Sequence, residues 1–188
     1  MLSDQIRNFR EMVTLKDGVH VLLRPMMKED RLHLEELYAP VGEDDMRYFR
    51  ENVKDAAVLQ RWCDALDYGE ILPVLALVKE RAVGSGSLHF FHGPKRHVGE
   101  VRLFLSKDYR KRGLGMKIIR VLIEFARKQG LTTLVAEIIA DKTKVVRAFE
   151  QMGFVTRCTL EDYFMFPDGD CSDVVFMTMR LKPREDEF

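Results

Sequence analysis

The sequence predicts a mixed α/β domain around one central sheet. Three observations predict it. Short runs of branched and alternating apolar residues recur along the chain, as strands require. Two stretches, at 118–126 and 145–152, carry apolar residues at helical spacing. Glycine or proline marks most of the boundaries between these segments. The resulting order is strand, helices, strands, helix, strand, helix, hairpin, which fits one layered domain.

The elements follow in order. Lys16-Asp17-Gly18 is a turn signal, and residues 19–24 after it read as a strand. Residues 27–38 place Leu32, Leu34, Leu37 and Tyr38 in a helical pattern that Pro40 ends. Residues 42–45 are a polar loop, and 56–66 read as a second helix. An apolar strand at 73–79 precedes another at 82–91, where Gly84 and Gly86 signal a bulge or a close backbone approach. Gly93-Pro94 turns the chain into a strand at 98–106. A helix within 108–128 stops at Gly130, and a buried strand follows at 131–139. Residues 143–152 form the last helix, capped by Gly153. The arms 155–166 and 172–181 close a hairpin around Pro167-Asp168-Gly169-Asp170.

Length and charge bound the function. At 188 residues the chain fits one domain with a real core. Thirty basic and 30 acidic residues give a formal net charge of zero, which argues against nucleic acid or a membrane surface as partner. The balance is local, however. Between Lys107 and Lys128 lie eight Lys or Arg residues against Asp108 and Glu124, a run that reads either as a partner for an anion or as a solvated face. Three cysteines without a C-x-x-C pair suit a reducing compartment. No apolar run of about 20 residues is present, and the N-terminus lacks the pattern of a signal peptide. The expectation is a cytoplasmic protein.

The sharpest chemical feature is Arg110-Lys111-Arg112-Gly113-Leu114-Gly115, between a strong strand and a strong helix. The first turn of a helix leaves amides without partners and carries the positive end of the dipole. Glycines let an anion approach that backbone, and basic side chains add charge-assisted donors. The run is neither a Walker loop nor the G-x-G-x-x-G dinucleotide fingerprint.

At these residues the chain resembles the GNAT acetyltransferases, whose motif Arg/Gln-x-x-Gly-x-Gly/Ala matches at Arg110, Gly113 and Gly115. The strand at 98–106 is similar to the family's cofactor strand. Phe149-Glu150-Gln151-Met152-Gly153-Phe154 resembles its Tyr-Glu-Lys-x-Gly-Phe block. The pattern is similar to the catalytic domain of Pat-type protein-lysine acetyltransferases. The resemblance implies a single acyl-CoA N-acyltransferase domain over residues 1–188. Its fold would be a central mixed, mostly antiparallel sheet, splayed at its middle and flanked by about four helices. It implies acetyl-CoA as co-substrate, with no metal. The pantetheine arm would pair with backbone around Phe104 and Leu105, and the diphosphate would sit on the amides of residues 110–115: Arg110, Lys111, Arg112, Gly113, Leu114 and Gly115.

The resemblance also implies an amine acceptor and direct transfer. An amine arrives protonated near pH 7 and must lose a proton before it attacks a thioester. Glu100 stands where Pat-type relatives place their catalytic glutamate, and it shares a strand face with Arg102 and Phe104. A surface carboxylate paired with a neighbouring base is the competing reading for it. Glu137 on the next strand is the second candidate base. Two positions depart from the pattern. Lys142 stands where many relatives have an asparagine that holds the pantetheine; it reaches a CoA phosphate or is solvated. Phe149 replaces a tyrosine that protonates the departing thiolate, and it has no proton to give.

The acceptor pocket is expected across the sheet from the cofactor, with Arg47, Tyr48 and Phe49 at its floor. Tyr163 and the acidic hairpin around it would meet a cationic small amine, amino acid or protein lysine. The same acidic hairpin also reads as a solubilising turn. Family habit points to a homodimer. An alternative is a non-catalytic acyl-CoA-binding module, motivated by Phe149 and Lys142; a nucleotide-phosphate-binding protein is a third reading. His89, His92 and His97 match no metal-ligand spacing, and Cys158 reads as a buried thiol.

Overall fold

The computed structural model of the chain describes residues 2–182. Among them lie six helices and one eight-stranded sheet of order β1-β2-β3-β4-β5-β6-β8-β7. The chain divides into two compact units. One holds the described residues up to Leu88 together with Arg102–Leu122; the other holds His89–Val101 and the residues from Ile123 onward.

In the first unit, β1 (Glu11–Thr14) pairs antiparallel with β2 (His20–Pro25), and β2 with β3 (Ile71–Val78). A short helix, α1 (Leu2–Arg7), precedes them. Helix α2 (Arg31–Tyr38) buries Leu34, Leu37 and Tyr38, and α4 (Ala56–Asp64) buries Val58, Leu59 and Cys63. Asp55 caps α4 by accepting the Ala57 N–H at 2.8 Å. These helices and β3 share a core that includes Met26, Leu75, Leu77 and Ala82. Residues 42–45, expected as a polar loop, overlap the four-residue helix α3 (Glu43–Met46).

The opposite face of β4 (Arg81–Phe90) meets α5 (Leu114–Lys128). Here the two glycines of β4 find their reason. A β-carbon on Gly84 would lie 2.8 Å from Leu105 Cδ2, and one on Gly86 2.4 Å from Ile118 Cγ2. The close approach expected from the sequence is to the helix and to β5 (Val98–Leu105). Leu114, Ile118, Ile119 and Leu122 are fully buried, so the helical stripe seats α5.

In the second unit, β5 pairs parallel with β6 (Thr133–Ile139) only over Val98–Glu100 against Thr133–Val135. Strand β6 runs antiparallel to β8 (Cys171–Arg180) from Thr133 to Ile139. Helix α6 (Thr143–Gln151) ends at Gly153, whose φ of 98° lets Phe154 N–H close on Phe149 O at 3.1 Å. The hairpin of β7 (Val155–Met165) and β8 turns at Gly169, φ 89°. Two register shifts interrupt β7, the second at Leu160/Phe164. Asp162 sits there at φ 49°, its N–H held by Asp173 Oδ1 at 3.0 Å. Almost all of β7 is exposed, Cys158 included, so the expectation of a buried thiol fails there. Among the described residues, none covers the Cys158 side chain enough to bury it. No helix among the described residues is long and apolar enough to cross a membrane.

Candidate active site

The loop between β5 and α5 is anchored at both ends. Ser106 donates its N–H and its hydroxyl to Val83 O, at 3.1 and 2.9 Å. Leu114 is wholly buried at the other end. Between them Lys111 and Gly113 adopt left-handed backbone, φ 61° and 87°. Such a conformation costs a non-glycine residue about 1–2 kcal/mol, so the loop at Lys111 is held by its surroundings. The first closing bond of α5 is Lys117 N–H to Gly113 O, at 3.4 Å. The amides of Leu114, Gly115 and Met116 therefore come before the first helical donor, Lys117 N–H.

The two loop arginines reach other parts of the protein. Arg110 Nε donates to Leu105 O at 3.1 Å, and its Nη2 donates to Asp45 Oδ2 on α3 at 3.0 Å. Arg112 donates from Nε to the Asp17 carboxylate and from Nη1 to Asp108 O at 3.1 Å. Its guanidinium lies 4.5 Å over the Tyr109 ring. The hydrogen bond from Arg112 holds the Asp17 carboxyl below its ordinary pKa, and the same bond raises that of Arg112. The turn carrying Asp17 also touches the loop through its backbone, as Lys16 N–H donates to Arg112 O at 3.4 Å. The Lys16 stem runs 3.7 Å from where a β-carbon on Gly113 would stand.

The two faces of β5 differ. A β-carbon on Gly115 would stand 3.0 Å from Leu103 and 3.5 Å from Leu105, so these leucines face α5. Phe104 points the other way, its ring 5.2 Å from both Tyr38 and Phe49. Trp62 joins this cluster edge-on to Tyr38 at 6.3 Å. The Tyr38 hydroxyl lies 3.1 Å from Ser85 Oγ, and burial pushes its pKa up. A cleft of about 270 Å³ opens beside the cluster, with Phe104, Asp45, Tyr109 and Arg110 among its walls. Phe49 is a packing member of the cluster, whereas Arg47 is half-buried and Tyr48 is exposed.

In the second unit, Glu100 is one of two buried charged residues among those described, at 6% exposure. It registers with Val135 on β6. Glu137 lies two residues beyond Val135, so both candidate bases share one sheet face. Glu137 is half-buried and opposes Phe176. Lys142 precedes α6, and its ammonium lies 3.8 Å from Asp141. Phe149 is buried edge-on against Phe154 at 5.0 Å, a packing position. Tyr163 is exposed at the β7 bulge and stacks on Phe164 at 5.8 Å.

In the first unit the structure thus gathers Phe104, Leu105, the 110–115 loop and Phe49. Glu100, Glu137, Lys142 and Tyr163 belong to the second. Sequence reasoning missed Asp17, Asp45 and Lys16 as neighbours of the loop. Asp17 and Arg112 are 95 positions apart, and no local pattern links them.

A glycine-opened helix start after a strand, carrying this motif, is the feature on which the resemblance to the acetyltransferases rests. Residues 30–154 match the model of the Acetyltransferase (GNAT) family, and the chain belongs to that family. It is 29% identical over 87 residues to [Ribosomal protein bS18]-alanine N-acetyltransferase of Escherichia coli, covering 45% of this chain. The chain spans 58% of the length of that curated relative. Among solved structures it is similar to the GNAT domain of S. lividans PAT, with a TM-score of 0.76 at 18% identity over 91% of this chain and 96% of that one. It is also similar to yncA of Salmonella typhimurium, solved with its cofactor acetyl-CoA, with a TM-score of 0.75 at 18% identity over 95% of this chain and 98% of that one. At such identities the likeness concerns the fold, and that fold is the mixed, mostly antiparallel sheet expected from the sequence.

Proposed function

We propose that this chain is an N-acetyltransferase that moves an acetyl group from acetyl-CoA to a primary amine by direct transfer, the whole of residues 1–188 acting as one catalytic domain. The observation that carries the reading is the loop entering α5. Its backbone turns left-handed at Lys111 and Gly113, and three amides precede the first helical donor, Lys117 N–H. Those features fit a diphosphate, because they offer fixed donors with no side chain in the way at Gly113 and Gly115. Lys111 extends an exposed cation beside them. Leu105 O already accepts from Arg110. Phe104 and Leu105 therefore offer the pantetheine arm a strand end whose geometry is set beforehand.

Acetyl-CoA supplies an acyl group activated as a thioester. The protein's own task is the proton. Glu100, directly or through one water, accepts it from the incoming ammonium, and its burial keeps competing solvent away. Glu137, on the same face, is the second candidate. Arg47, Tyr48 and Tyr163 remain our candidates for acceptor contacts; Phe49 supports that wall from within the aromatic cluster. The acceptor is a small amine, an amino acid or a protein lysine. The three free cysteines fit work in a reducing compartment such as the cytoplasm.

The test is release of free CoA thiol from acetyl-CoA with a panel of amines and lysine peptides, alongside calorimetric titration of acetyl-CoA. Turnover with at least one acceptor is expected. No turnover together with no binding overturns the proposal. Tight binding without turnover favours the acyl-CoA-binding module instead.

A further inference from the structure

The loop's arginines do not stand free toward an incoming anion. Each is already engaged by a carboxylate brought from a distant segment. Arg110 bridges Leu105 O and Asp45 of α3, and Arg112 bridges Asp108 O and Asp17 of the β1–β2 turn. All of these residues lie in one compact unit. A guanidinium that donates to a carboxylate and to a backbone carbonyl at once acts as a brace, because its planar fork fixes both partners in direction.

We propose that Asp17 and Asp45 are positioning residues for acetyl-CoA. They hold the two arginines as struts that fix the loop in its left-handed backbone, and they leave the amides of residues 114–116 to meet the diphosphate. This inference rests on the functional reading above. Three observations support it. Lys111 is a non-glycine residue at φ 61°, a conformation that persists only where its neighbours enforce it. The braces flank it on both sides in sequence, at 110 and 112. The Asp17 turn makes a second, backbone link to the loop through Lys16 N–H.

The inference predicts a sign that simple electrostatics does not. Each aspartate places a negative charge beside an anion site. If the arginines were direct ligands, removing that charge would free them and tighten acetyl-CoA. If the arginines are struts, removing it loosens the loop and weakens acetyl-CoA. Coupling through one polar network of this kind is worth about 0.5–3 kcal/mol, or roughly 2- to 150-fold in affinity.

The experiment measures the acetyl-CoA dissociation constant by calorimetry for the wild type, Asp17→Asn, Asp45→Asn, Arg112→Met and the Asp17→Asn/Arg112→Met pair. Thermal unfolding of each variant checks the fold. Wild-type protein that binds no acetyl-CoA defeats the functional reading and leaves the brace without an object. Given wild-type binding, each aspartate variant should weaken acetyl-CoA about fivefold or more. The double variant should be no weaker than the worse single one, and Asp17→Glu should recover part of the loss. With an acceptor in hand, KM for acetyl-CoA should rise while KM for the amine holds. Unchanged or tighter binding in both aspartate variants overturns the strut, as does a double variant whose loss is the product of the singles.

Discussion

Gly86 of β4 lies so close beneath Ile118 of α5 that a β-carbon on the glycine would stand 2.4 Å from Ile118 Cγ2. Leu122 Cδ1 would be 3.2 Å away. Ile118 is β-branched and on a helix, so its χ1 has little freedom to yield. Both leucine and isoleucine are fully buried. Gly86→Ala should therefore push α5 off the sheet and cost about 1–3 kcal/mol, read as a lower urea midpoint at constant m-value. Because α5 carries the proposed diphosphate loop at its start, acetyl-CoA binding should weaken as well. An alanine variant as stable as wild type would mean that the helix seats further from β4.

The two buried charged residues among those described, Asp30 and Glu100, call for different accounts. Asp30 pairs with Arg24, and Glu100 stands on β5, the strand that precedes the proposed diphosphate loop. Glu100→Gln keeps the shape and removes the proposed base. It should lower kcat/KM by about 10²- to 10⁴-fold and leave the acetyl-CoA dissociation constant where it was. If Glu137 is the base, the loss will appear in Glu137→Gln and not in Glu100→Gln. Measuring both variants with the same acceptor decides between the two carboxylates.

Gly113 permits a test of the backbone alone. A β-carbon there would meet only the Lys16 stem, at 3.7 Å, which is ordinary contact. The φ of 87° is the constraint, and alanine should cost about 1–2 kcal/mol in loop geometry. Gly113→Ala should thus weaken acetyl-CoA measurably with a small loss in melting temperature. Gly113→Glu adds a carboxylate to the anion site and should abolish binding while the chain stays folded. Calorimetry with acetyl-CoA checks both, and unchanged affinity in the glutamate variant would move the diphosphate elsewhere.

How much of this was legible in the sequence follows from the range of each interaction. The apolar stripe of α5, the glycine caps at 130 and 153 and the Gly169 turn are local, and each stands where the pattern put it. Gly84 and Gly86 signalled a close neighbour but not which one, since α5 lies some 30 positions downstream. Strand β1 carries four residues with one buried side chain, too little alternation to read without its partner β2. Helix α1 is equally short, and it went unread with β1. The motif at 110–115 points to the loop but not to the carboxylates that engage its arginines. Asp17 and Asp45 engage them through tertiary folding that leaves no periodic trace. Cys158 was misread for a related reason: strand composition does not report that one edge of the sheet is uncovered.

The Arg24–Asp30 pair makes a prediction about acid. Arg24 donates to both Asp30 oxygens, at 2.5 and 2.7 Å, and Met27 N–H adds a third bond at 2.7 Å. The Asp30 side chain is 5% exposed and that of Arg24 12%. Burial alone would raise the Asp30 pKa, and it is the largest single influence. The bonds from Arg24 and Met27, with the nearby charges, outweigh it and leave the carboxyl below its ordinary value of 3.8. A folded-state pKa below the unfolded one means that this group's contribution is complete above about pH 4 and is lost as pH falls through the folded value. Asp30→Asn leaves Arg24 buried without its counter-charge and should cost about 3–5 kcal/mol near neutral pH. The gap in unfolding free energy between wild type and Asp30→Asn should narrow as pH falls below about 4. Urea titrations at several pH values would show this directly. A gap that stays unchanged below pH 4, or no gap at all, would mean that the pair does not anchor the start of α2.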